Sequence, residues 1–310
     1  MRMLFVGAGA IGSLFGGLLA TQEDIWLVGR QQHVEAIENR GLLITTEGRD
    51  MLTHPKASVS IPKNENFDCL VIATKAFDLE RALLEIQKAN IKRIPVAILQ
   101  NGYRNEEVAR EILPGWTILR IITTEGAYCP TAGQIIRAGV GRTFVGFSEF
   151  IEDEKDFSER MSQALTLAGL PSSATGEIDS WIIGKLLVNA AINPICALVG
   201  CKNGFILENS DLLDLLKKLV SELERIALSL KIKLPFDNLQ SEVEKVLQET
   251  AENRCSMLQD ILSGRQTEIE FLNGSIANLA KEKKCQAPIN NALAGLILGK
   301  TKKILANEAR

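Results

Sequence analysis

Three polar residues, spaced four apart within an apolar segment, are the first candidates for chemistry in this chain. Lys185, Asn189 and Asn193 stand between Trp181 and Pro194, where the remaining residues are apolar or glycine. The segment is predicted as a buried helix, on which residues at i, i+4 and i+8 form one polar stripe. A buried ammonium and two buried amides are costly unless each finds a partner. The stripe is therefore either a network that holds helices together or an acid or base whose pKa is tuned by burial.

A second candidate lies at the start of the chain, where a short apolar strand runs through a glycine-rich turn into an apolar helix. In a dinucleotide site the first glycine of such a turn allows its tightness, the second admits the pyrophosphate, and the third lets helix and strand pack closely. The N-terminus of the helix then offers free N–H groups to the phosphates. The alternative is a glycine-rich turn that binds no ligand. The candidate residues are Gly7, Ala8, Gly9, Ala10, Ile11 and Gly12.

The end of the next predicted strand, residues 25–29, indicates which dinucleotide is bound. An NAD site usually has an Asp or Glu near this point to hold the ribose 2′-hydroxyl. Here the strand is followed by Arg30, a planar cation suited to a 2′-phosphate. The predicted cofactor is NADP(H), the alternative being a surface arginine that merely ends the strand.

Length and composition are those of a water-soluble enzyme. The chain has 310 residues and a formal net charge of −3, which favours two domains and argues against general binding to nucleic acid or membrane. No uninterrupted apolar run reaches about 18 residues, and no signal peptide precedes the first strand, so we expect a cytoplasmic protein. The cysteines form no CxxC pattern and are expected to be reduced, mostly buried thiols without a metal. They are Cys69, Cys129, Cys196, Cys201, Cys255 and Cys285.

The pattern of elements changes near residue 176. Before it, strands and helices alternate, which predicts a Rossmann-type, doubly wound, mostly parallel α/β sheet over 1–176. Two antiparallel pairs are also predicted there, 42–46 with 50–54 and 134–137 with 143–147. After it, helical periodicity covers nearly all of 177–310, which predicts an all-helical second domain. The predicted helices are 179–199, 208–230, 237–251, 254–263, 266–281 and 288–306.

Four candidate binding residues lie at the ends of predicted parallel strands. Gly7, Arg30, Lys75 and Asn101 each lie at or just past a carboxyl end, and open α/β sheets bind ligands along that edge. Lys75 could contact a phosphate or a substrate carboxylate, or be a surface lysine. Asn101 could bind a ligand or simply form a turn.

Reduction of a carbonyl by hydride requires a proton donor for the developing alkoxide. The two histidines are poorly placed, because His33 follows the Arg30 turn and His54 lies on the first predicted hairpin. Tyr103 and Tyr128 are the only phenols. Lys185 is the leading donor by elimination.

The motifs together resemble those of the ketopantoate reductase (2-dehydropantoate 2-reductase) family, in the family's order and over essentially the whole chain. The lysine–asparagine motif and the RxTEI motif are much more specific than GxGxxG. The motifs are Gly7 to Gly12, Thr74-Lys75-Ala76, Gln100-Asn101-Gly102, Lys185 to Pro194, Asn203-Gly204, Ser256 to Asp260 and Arg265 to Gly274.

The resemblance implies a Rossmann domain followed by a helical domain, with the active site in the cleft, and the NADPH-dependent reduction of 2-dehydropantoate to (R)-pantoate in pantothenate and coenzyme A synthesis. Lys185 would donate the proton, and Glu268 would lie by the nicotinamide end of the cofactor. The substrate-binding residues implied are Asn101, Asn189, Asn193, Asn203 and Ser256, and Lys75, Asn101, Ala127 and Glu268 would contact the cofactor.

Two residues depart from the family pattern, Arg104 after the Gln-Asn-Gly turn and Arg137 before Gly139, and both are expected on the cofactor side. They leave substrate choice more open than reaction class. The alternatives are a related reductase of another branched 2-keto acid and a non-catalytic NADP(H) sensor, although a sensor needs no acid beside the nicotinamide. The expected partner is the small-molecule substrate, with a homodimer possible and no metal.

Overall fold

The structure is a computed structural model that describes residues 1–146 and 152–308. The chain forms two compact units. The first contains residues 1–100 and 104–178, and the second contains residues 179–310 together with the short segment 101–103.

The first unit contains all the strands of the described chain, five α-helices and a short 3-10 turn at Ala76–Asp78. The strands are β1 (Arg2–Val6), β2 (Asp24–Val28), β3 (Leu42–Thr46), β4 (Arg49–Thr53), β5 (Lys56–Ser58), β6 (Cys69–Ile72), β7 (Val96–Ile98), β8 (Ile118–Thr123), β9 (Gly126–Tyr128), β10 (Gln134–Gly139), β11 (Thr143–Gly146) and β12 (Ser172–Thr175). The helices are α1 (Ala10–Leu19), α2 (Gln31–Arg40), α3 (Leu79–Lys88), α4 (Asn105–Ile112) and α5 (Glu152–Leu167).

Eight strands form the main sheet, in the order β12-β11-β8-β7-β6-β1-β2-β5. From β5 to β8 every neighbouring pair is parallel, which is the strand order of a doubly wound dinucleotide fold. The central strands β6 and β7 are buried along their whole length, as expected for strands covered by helices on both faces. The order reverses between β1 and β6, and this is where such sheets bind ligands.

The other four strands form a second sheet, in the order β4-β3-β10-β9. The first predicted hairpin is confirmed, because β3 and β4 are antiparallel. The second predicted antiparallel pair is wrong: β10 pairs with β3 and β9, whereas β11 joins the main sheet beside β8 and β12. Short strands carry little information about their partners, because pairing is decided by tertiary packing. Phe147, the last residue of that predicted pair, lies outside the described residues.

The second sheet packs on α1. A Cβ on Gly17 of that helix would lie 2.6 Å from a side-chain carbon of Ile44 and 2.7 Å from one of Leu42. Only a glycine admits so close an approach. The helix that follows the glycine-rich turn is therefore held between two sheets.

The second unit consists of helices joined by short segments. They are α6 (Ile178–Val199), α7 (Phe205–Glu208), α8 (Ser210–Leu230), α9 (Leu239–Glu249), α10 (Ser256–Leu262), α11 (Asn273–Glu282) and α12 (Pro288–Glu308). The predicted helix over 266–281 begins later, because a short 3-10 turn at Ile269–Phe271 precedes α11. The predicted fold class, a Rossmann-type α/β sheet followed by an all-helical region, is confirmed.

Helix α6 contributes many of the buried residues of this unit's apolar core. By its length and average hydropathy alone this helix could cross a membrane, although polar residues interrupt its apolar run. However, 78% of its most apolar stretch is buried inside the protein. It is therefore a buried core helix of this unit.

Candidate active site: a glycine-rich turn and a polar helix

The glycine-rich turn is shaped by contacts that exclude side chains at two of its three glycines. Gly7 has φ of 112°, and a Cβ there would lie 2.5 Å from the backbone nitrogen of Thr74. A Cβ on Gly12 would lie 2.1 Å from the carbonyl oxygen of Gly7. At Gly9, by contrast, no described atom lies within 4 Å of such a Cβ. The turn after β1 therefore packs against the segment after β6 and leaves its outer side open at Gly9.

This arrangement fits the pyrophosphate of a dinucleotide. The first backbone N–H bond of α1 runs from Ser13 to the carbonyl of Gly9, so the preceding N–H groups lie at the open end of the helix. The first turn, which also includes Ala10 and Ile11, contains no acidic residue that would repel an anion. Ala8 N–H bonds the carbonyl of Val28, which ties the turn to β2.

Arg30 stands at the start of α2, directly after β2 and Gly29. Its carbonyl accepts N–H bonds from His33 and Val34, and its side chain is exposed. Ala127 is half-buried on β9, opposite Arg137 of β10. The backbone at Arg30 is thus fixed while the guanidinium remains accessible to a ligand.

The segments that carry Lys75 and Asn101 are held by one glutamine. Gln100 Nε2 lies 2.9 Å from the Thr74 carbonyl, 2.8 Å from Thr74 Oγ1 and 3.2 Å from the Lys75 carbonyl. Its own side-chain oxygen accepts a bond from Asn105 Nδ2. Lys75 itself is half-buried. The amide of Gln100 therefore sets the relative positions of the ends of β6 and β7.

Gln100 is in turn fixed by a buried ion pair that was not predicted from the sequence. Arg120 donates through one nitrogen to the Gln100 carbonyl at 3.2 Å and through the other to Glu106 at 2.7 Å. Their side chains are 1% and 7% exposed. The available signal was a charged residue inside the otherwise apolar strand β8.

The two departures from the family pattern occupy different environments. Arg137 is buried and makes a bidentate pair with Glu125, with Nε–Oε2 at 2.7 Å. Arg104 has φ of 64° at the start of α4 and pairs with Glu107 at 3.4 Å. Arg137 is thus engaged with a carboxylate inside the first unit.

His33 does not have the surroundings of a proton donor to substrate. His33 is buried, with its Nε2 2.9 Å from Ser13 Oγ, and its Nδ1 accepts the Gly133 N–H at 3.0 Å. Burial lowers the pKa of His33. The imidazole therefore connects α2 to α1 and to the second sheet as a neutral ring.

In the second unit, the predicted stripe is present on one helix. Lys185 and Asn189 are half-buried on α6, and Asn193 is buried. The helix continues through Pro194 to Val199. The apolar side chains that flank the stripe belong to the main apolar cluster of this unit. Leu186, for example, is only 2% exposed.

Three predicted substrate residues lie around a pair of cysteines. Cys255 Sγ is 3.6 Å from the Asn193 carbonyl, and Cys196 Sγ is 3.6 Å from Asn203 Oδ1. Asn203 Nδ2 also donates to Thr250 Oγ1 at 2.9 Å. Exposed Ser256 follows Cys255 as the first residue of α10. Asn193, Asn203 and Ser256 are thereby brought into one neighbourhood.

The two thiols differ in their electrostatics. The hydrogen bond from Cys196, with the Leu258 and Met257 N–H groups, lowers the pKa of Cys255, which also accepts the Leu258 N–H at 3.4 Å as the cap of α10. The same bond to Cys255 and burial raise the pKa of Cys196. All six cysteines are free: three are buried, two are half-buried, and Cys129 is exposed. The prediction is that most of the thiols are buried; three of the six are fully buried, and two more are half-buried.

Glu268 and Asn101 meet within the second unit. Asn101 Nδ2 donates to Glu268 Oε2 at 3.2 Å, and Glu268 is only 6% exposed. The segment 101–103 clusters with the helices although its neighbours in sequence belong to the first unit. A carboxylate and an amide predicted from separate motifs are therefore in contact.

Both halves of the chain match models of one family. Residues 3–149 match the model described as ketopantoate reductase PanE/ApbA, and residues 177–301 match the corresponding C-terminal model. The chain is 39% identical to the 2-dehydropantoate 2-reductase of Pyrococcus horikoshii, over 97% of both chains. It is 34% identical to the enzyme of that name from Archaeoglobus fulgidus, over 96% of this chain and 97% of that one.

Two solved structures are similar to this protein over nearly its full length. A ternary structure of D-mandelate dehydrogenase with NADH and anilino(oxo)acetate has a TM-score of 0.90 and 25% identity, covering 98% of this chain and 99% of that chain. A PanE/ApbA family ketopantoate reductase from Ralstonia eutropha has a TM-score of 0.88 and 24% identity, with the same coverage. From its sequence matches, the chain belongs to the ketopantoate reductase family.

Proposed function

We propose that this protein is an NADPH-dependent reductase that converts 2-dehydropantoate to (R)-pantoate. The observation that carries the proposal is the polar stripe of α6, a lysine and two amides within the apolar stretch 181–194. Asn193 of this stripe lies in the same neighbourhood as Asn203 and Ser256. The full-length identity to enzymes named 2-dehydropantoate 2-reductase supports it. In the cell this would place the protein in the cytoplasm, in pantothenate and coenzyme A synthesis.

The helical unit, residues 177–310 in the sequence-based division, would bind the keto acid together with Asn101 and would supply the proton. Lys185 would donate a proton to the 2-keto oxygen, because an ammonium is a hydrogen-bond donor that can also release a proton. The carboxylate and hydroxyl of the substrate would be bound by amide and hydroxyl groups. These are Asn101, Asn189, Asn193, Asn203 and Ser256. Glu268, held by Asn101, would orient the ammonium and the ribose of the cofactor.

The first unit, residues 1–176, would hold the cofactor. The bound nicotinamide supplies the hydride that is transferred to C2 of the keto acid. The backbone at Gly7, Gly9 and Gly12 would receive the pyrophosphate, with Ala8, Ala10 and Ile11 completing the turn. Exposed Arg30 would bind the 2′-phosphate, and Lys75, Asn101 and Ala127 would line the rest of the site. The choice of NADP(H) over NAD(H) rests on Arg30.

A second candidate is a reductase of another 2-keto acid. The observation that favours it is the structural similarity to D-mandelate dehydrogenase, whose structure contains NADH and anilino(oxo)acetate. The sequence identity to that protein is 25%, against 39% to the Pyrococcus enzyme, so 2-dehydropantoate remains the first choice. A homodimer is a further expectation for either activity.

The test is the oxidation of NADPH, followed at 340 nm, with a panel of 2-keto acids. The panel contains 2-dehydropantoate, 2-oxoisovalerate, phenylglyoxylate and pyruvate. We expect the highest kcat/KM with 2-dehydropantoate. A higher kcat/KM with another acid would support the second candidate, and tight NADPH binding without turnover of any acid would indicate a sensor.

A further inference from the structure

Helix α6 contains a proline that leaves one of its own carbonyl groups without a helical partner. In an α-helix the N–H of residue i bonds the carbonyl of residue i−4. Pro194 has no N–H, so the carbonyl of Ala190 loses that bond. Asn273, the first residue of α11, replaces it: its Nδ2 lies 2.9 Å from the Ala190 oxygen. A side chain far along the sequence thus completes the backbone of α6.

Asn273 is itself held by a chain of buried polar groups. Its Nδ2 also donates to Asn290 Oδ1 at 2.9 Å, and Asn290 Nδ2 donates to Glu222 Oε1 at 2.8 Å. Glu222 further accepts the backbone N–H groups of Ile289 and Asn290 at the start of α12. Asn273 and Asn290 are completely buried, and Glu222 is 1% exposed. The chain of bonds therefore links α8, α12 and α11 to one peptide group of α6.

The orientation of the Asn273 amide is determined by these contacts. Its Nδ2 faces two oxygen acceptors, Ala190 O and Asn290 Oδ1, so rotation by 180° would place three oxygens together. Its Oδ1 is buried and has no hydrogen-bond partner among the described residues. Leaving an acceptor unpaired in a buried site is unfavourable. The contact with α6 is therefore retained at the cost of one unsatisfied oxygen.

The peptide group that Asn273 contacts lies between two residues of the polar stripe along the helix. Ala190 directly follows Asn189 and precedes Asn193 by three residues. We propose that Asn273, with Asn290 and Glu222 behind it, is a positioning residue for the reaction: it fixes the path of α6 at Pro194 and so the spacing between Asn189 and Asn193. This inference rests on the proposed function. Its consequence is that substrate geometry depends on a residue that never touches substrate.

The first test replaces Asn273 with alanine. We expect kcat/KM for 2-dehydropantoate to fall about 10- to 100-fold, because displacements of about 1 Å at a reacting centre have effects of that order. The Kd for NADPH, whose pyrophosphate and 2′-phosphate the first unit would bind, should stay within about twofold. The control is Asn209→Ala. Asn209 caps α8 through a bond to the Leu212 N–H in the same unit, so it should lower Tm and leave kcat/KM nearly unchanged.

A double variant separates positioning from stability. In Asn273→Ala with Pro194→Ala, residue 194 regains an N–H that can bond the Ala190 carbonyl. We expect Tm to recover relative to Asn273→Ala, while kcat/KM stays low because α6 now follows a regular path. Recovery of kcat/KM together with Tm would overturn the proposal, as would a single variant whose kcat/KM falls no further than that of Asn209→Ala.

Hydrogen exchange gives a readout that does not depend on the substrate. Peptides covering residues 186–199 should lose protection in Asn273→Ala and keep it in Asn209→Ala. If wild-type protein fails to reduce 2-dehydropantoate, the proposed function is wrong, and the exchange result still decides whether Asn273 fixes α6. Unchanged protection in Asn273→Ala would refute the positioning role.

Discussion

The two units bury different kinds of polar side chain. In the sheet-containing unit two arginines are buried, and each contacts a carboxylate. In the helical unit the most deeply buried polar side chains are those of Asn273, Asn290 and Glu222. Arg120 pairs with Glu106, and Arg137 pairs with Glu125. In the helical unit, the Asp260 carboxylate is buried but its partner Arg265 is 47% exposed. The two units therefore satisfy buried polar groups with charges in one case and chiefly with amides and backbone N–H groups in the other.

The difference matches what each unit has to position. The loops after β6 and β7 are irregular backbone. Arg120 donates to the Gln100 carbonyl after β7 with one arm of a fixed, planar set of donors, and the Gln100 amide donates to the carbonyls of Thr74 and Lys75 after β6. Within α6 the Ala190 carbonyl loses its helical donor to Pro194, and the neutral amide of Asn273 supplies a replacement without placing a full charge there. We therefore expect the buried ion pairs of the first unit to contribute to stability, and the half-buried charge of Lys185 in the second unit to serve chemistry.

The largest expected effect tests the chemical half of this comparison. Lys185→Ala should lower kcat by about 10²–10⁴-fold, the usual contribution of a positioned acid, with little change in Tm because alanine suits a buried helix. The control is Lys300→Ala. Lys300 Nζ donates to the carbonyls of Ala197 and Leu198 at the end of the same helix. Loss of these two hydrogen bonds should lower Tm and leave kcat unchanged. A large loss of Tm with near-normal kcat in Lys185→Ala would show that Lys185 stabilises the helical unit and does not donate the proton.

The stability half is tested at the buried pair. Glu106→Ala leaves the Arg120 guanidinium buried without its carboxylate and should lower the free energy of unfolding by about 3–5 kcal/mol. Replacing both residues, as in Glu106→Leu with Arg120→Met, should cost much less because no charge is left unpaired. Urea denaturation measures both. Equal losses in the single and double variants would show that the pair itself, rather than the stranded charge, provides the stability.

The features that were predictable from the sequence are those set by local spacing. The glycine-rich turn and the stripe of α6 depend on residues within about ten positions of each other, so period and turn chemistry identify them. The pairing of β10 could not be read in this way, since its partner β3 lies some ninety residues away. A strand of a few residues fits many partners equally well.

The supporting polar groups were missed for the same reason. Asn273 contacts Ala190 across 83 positions, and Glu222 contacts Asn290 across 68. Two local signals did exist: Pro194 inside a predicted helix implies an unpaired carbonyl, and Arg120 inside an apolar strand implies a buried counter-charge. Each signal indicates that a partner is needed without identifying it.

Cofactor choice should respond to a single exposed cation in the first unit. Arg30→Ala should reduce the preference for NADPH over NADH about ten- to a hundredfold, because a charge-assisted hydrogen bond is worth about 1.5–3 kcal/mol. Steady-state kinetics with both cofactors measures it. Arg40→Ala removes an exposed arginine from the other end of α2 and should leave the ratio unchanged. Equal use of both cofactors by wild-type protein would contradict the assignment of Arg30.

The smallest expected effect concerns the neutral ring that joins α2 to α1. Burial lowers the pKa of His33, so the unfolded chain, in which the pKa is near its ordinary value of about 6.5, binds this proton more readily than the folded protein. Stability from His33 is therefore fully present above that value and is lost as the pH falls through the lower folded pKa.

Protonation would also place a hydrogen on Nδ1, where the Gly133 N–H now donates. In His33→Asn, a side-chain oxygen can accept that N–H and does not titrate. We expect the Tm of wild-type protein to fall more steeply between pH 7.5 and pH 5 than the Tm of the variant. All other titrating groups are common to both proteins, so the difference in slope isolates His33. Parallel Tm curves would mean that the imidazole stays solvated and does not contribute to the buried polar groups of the first unit.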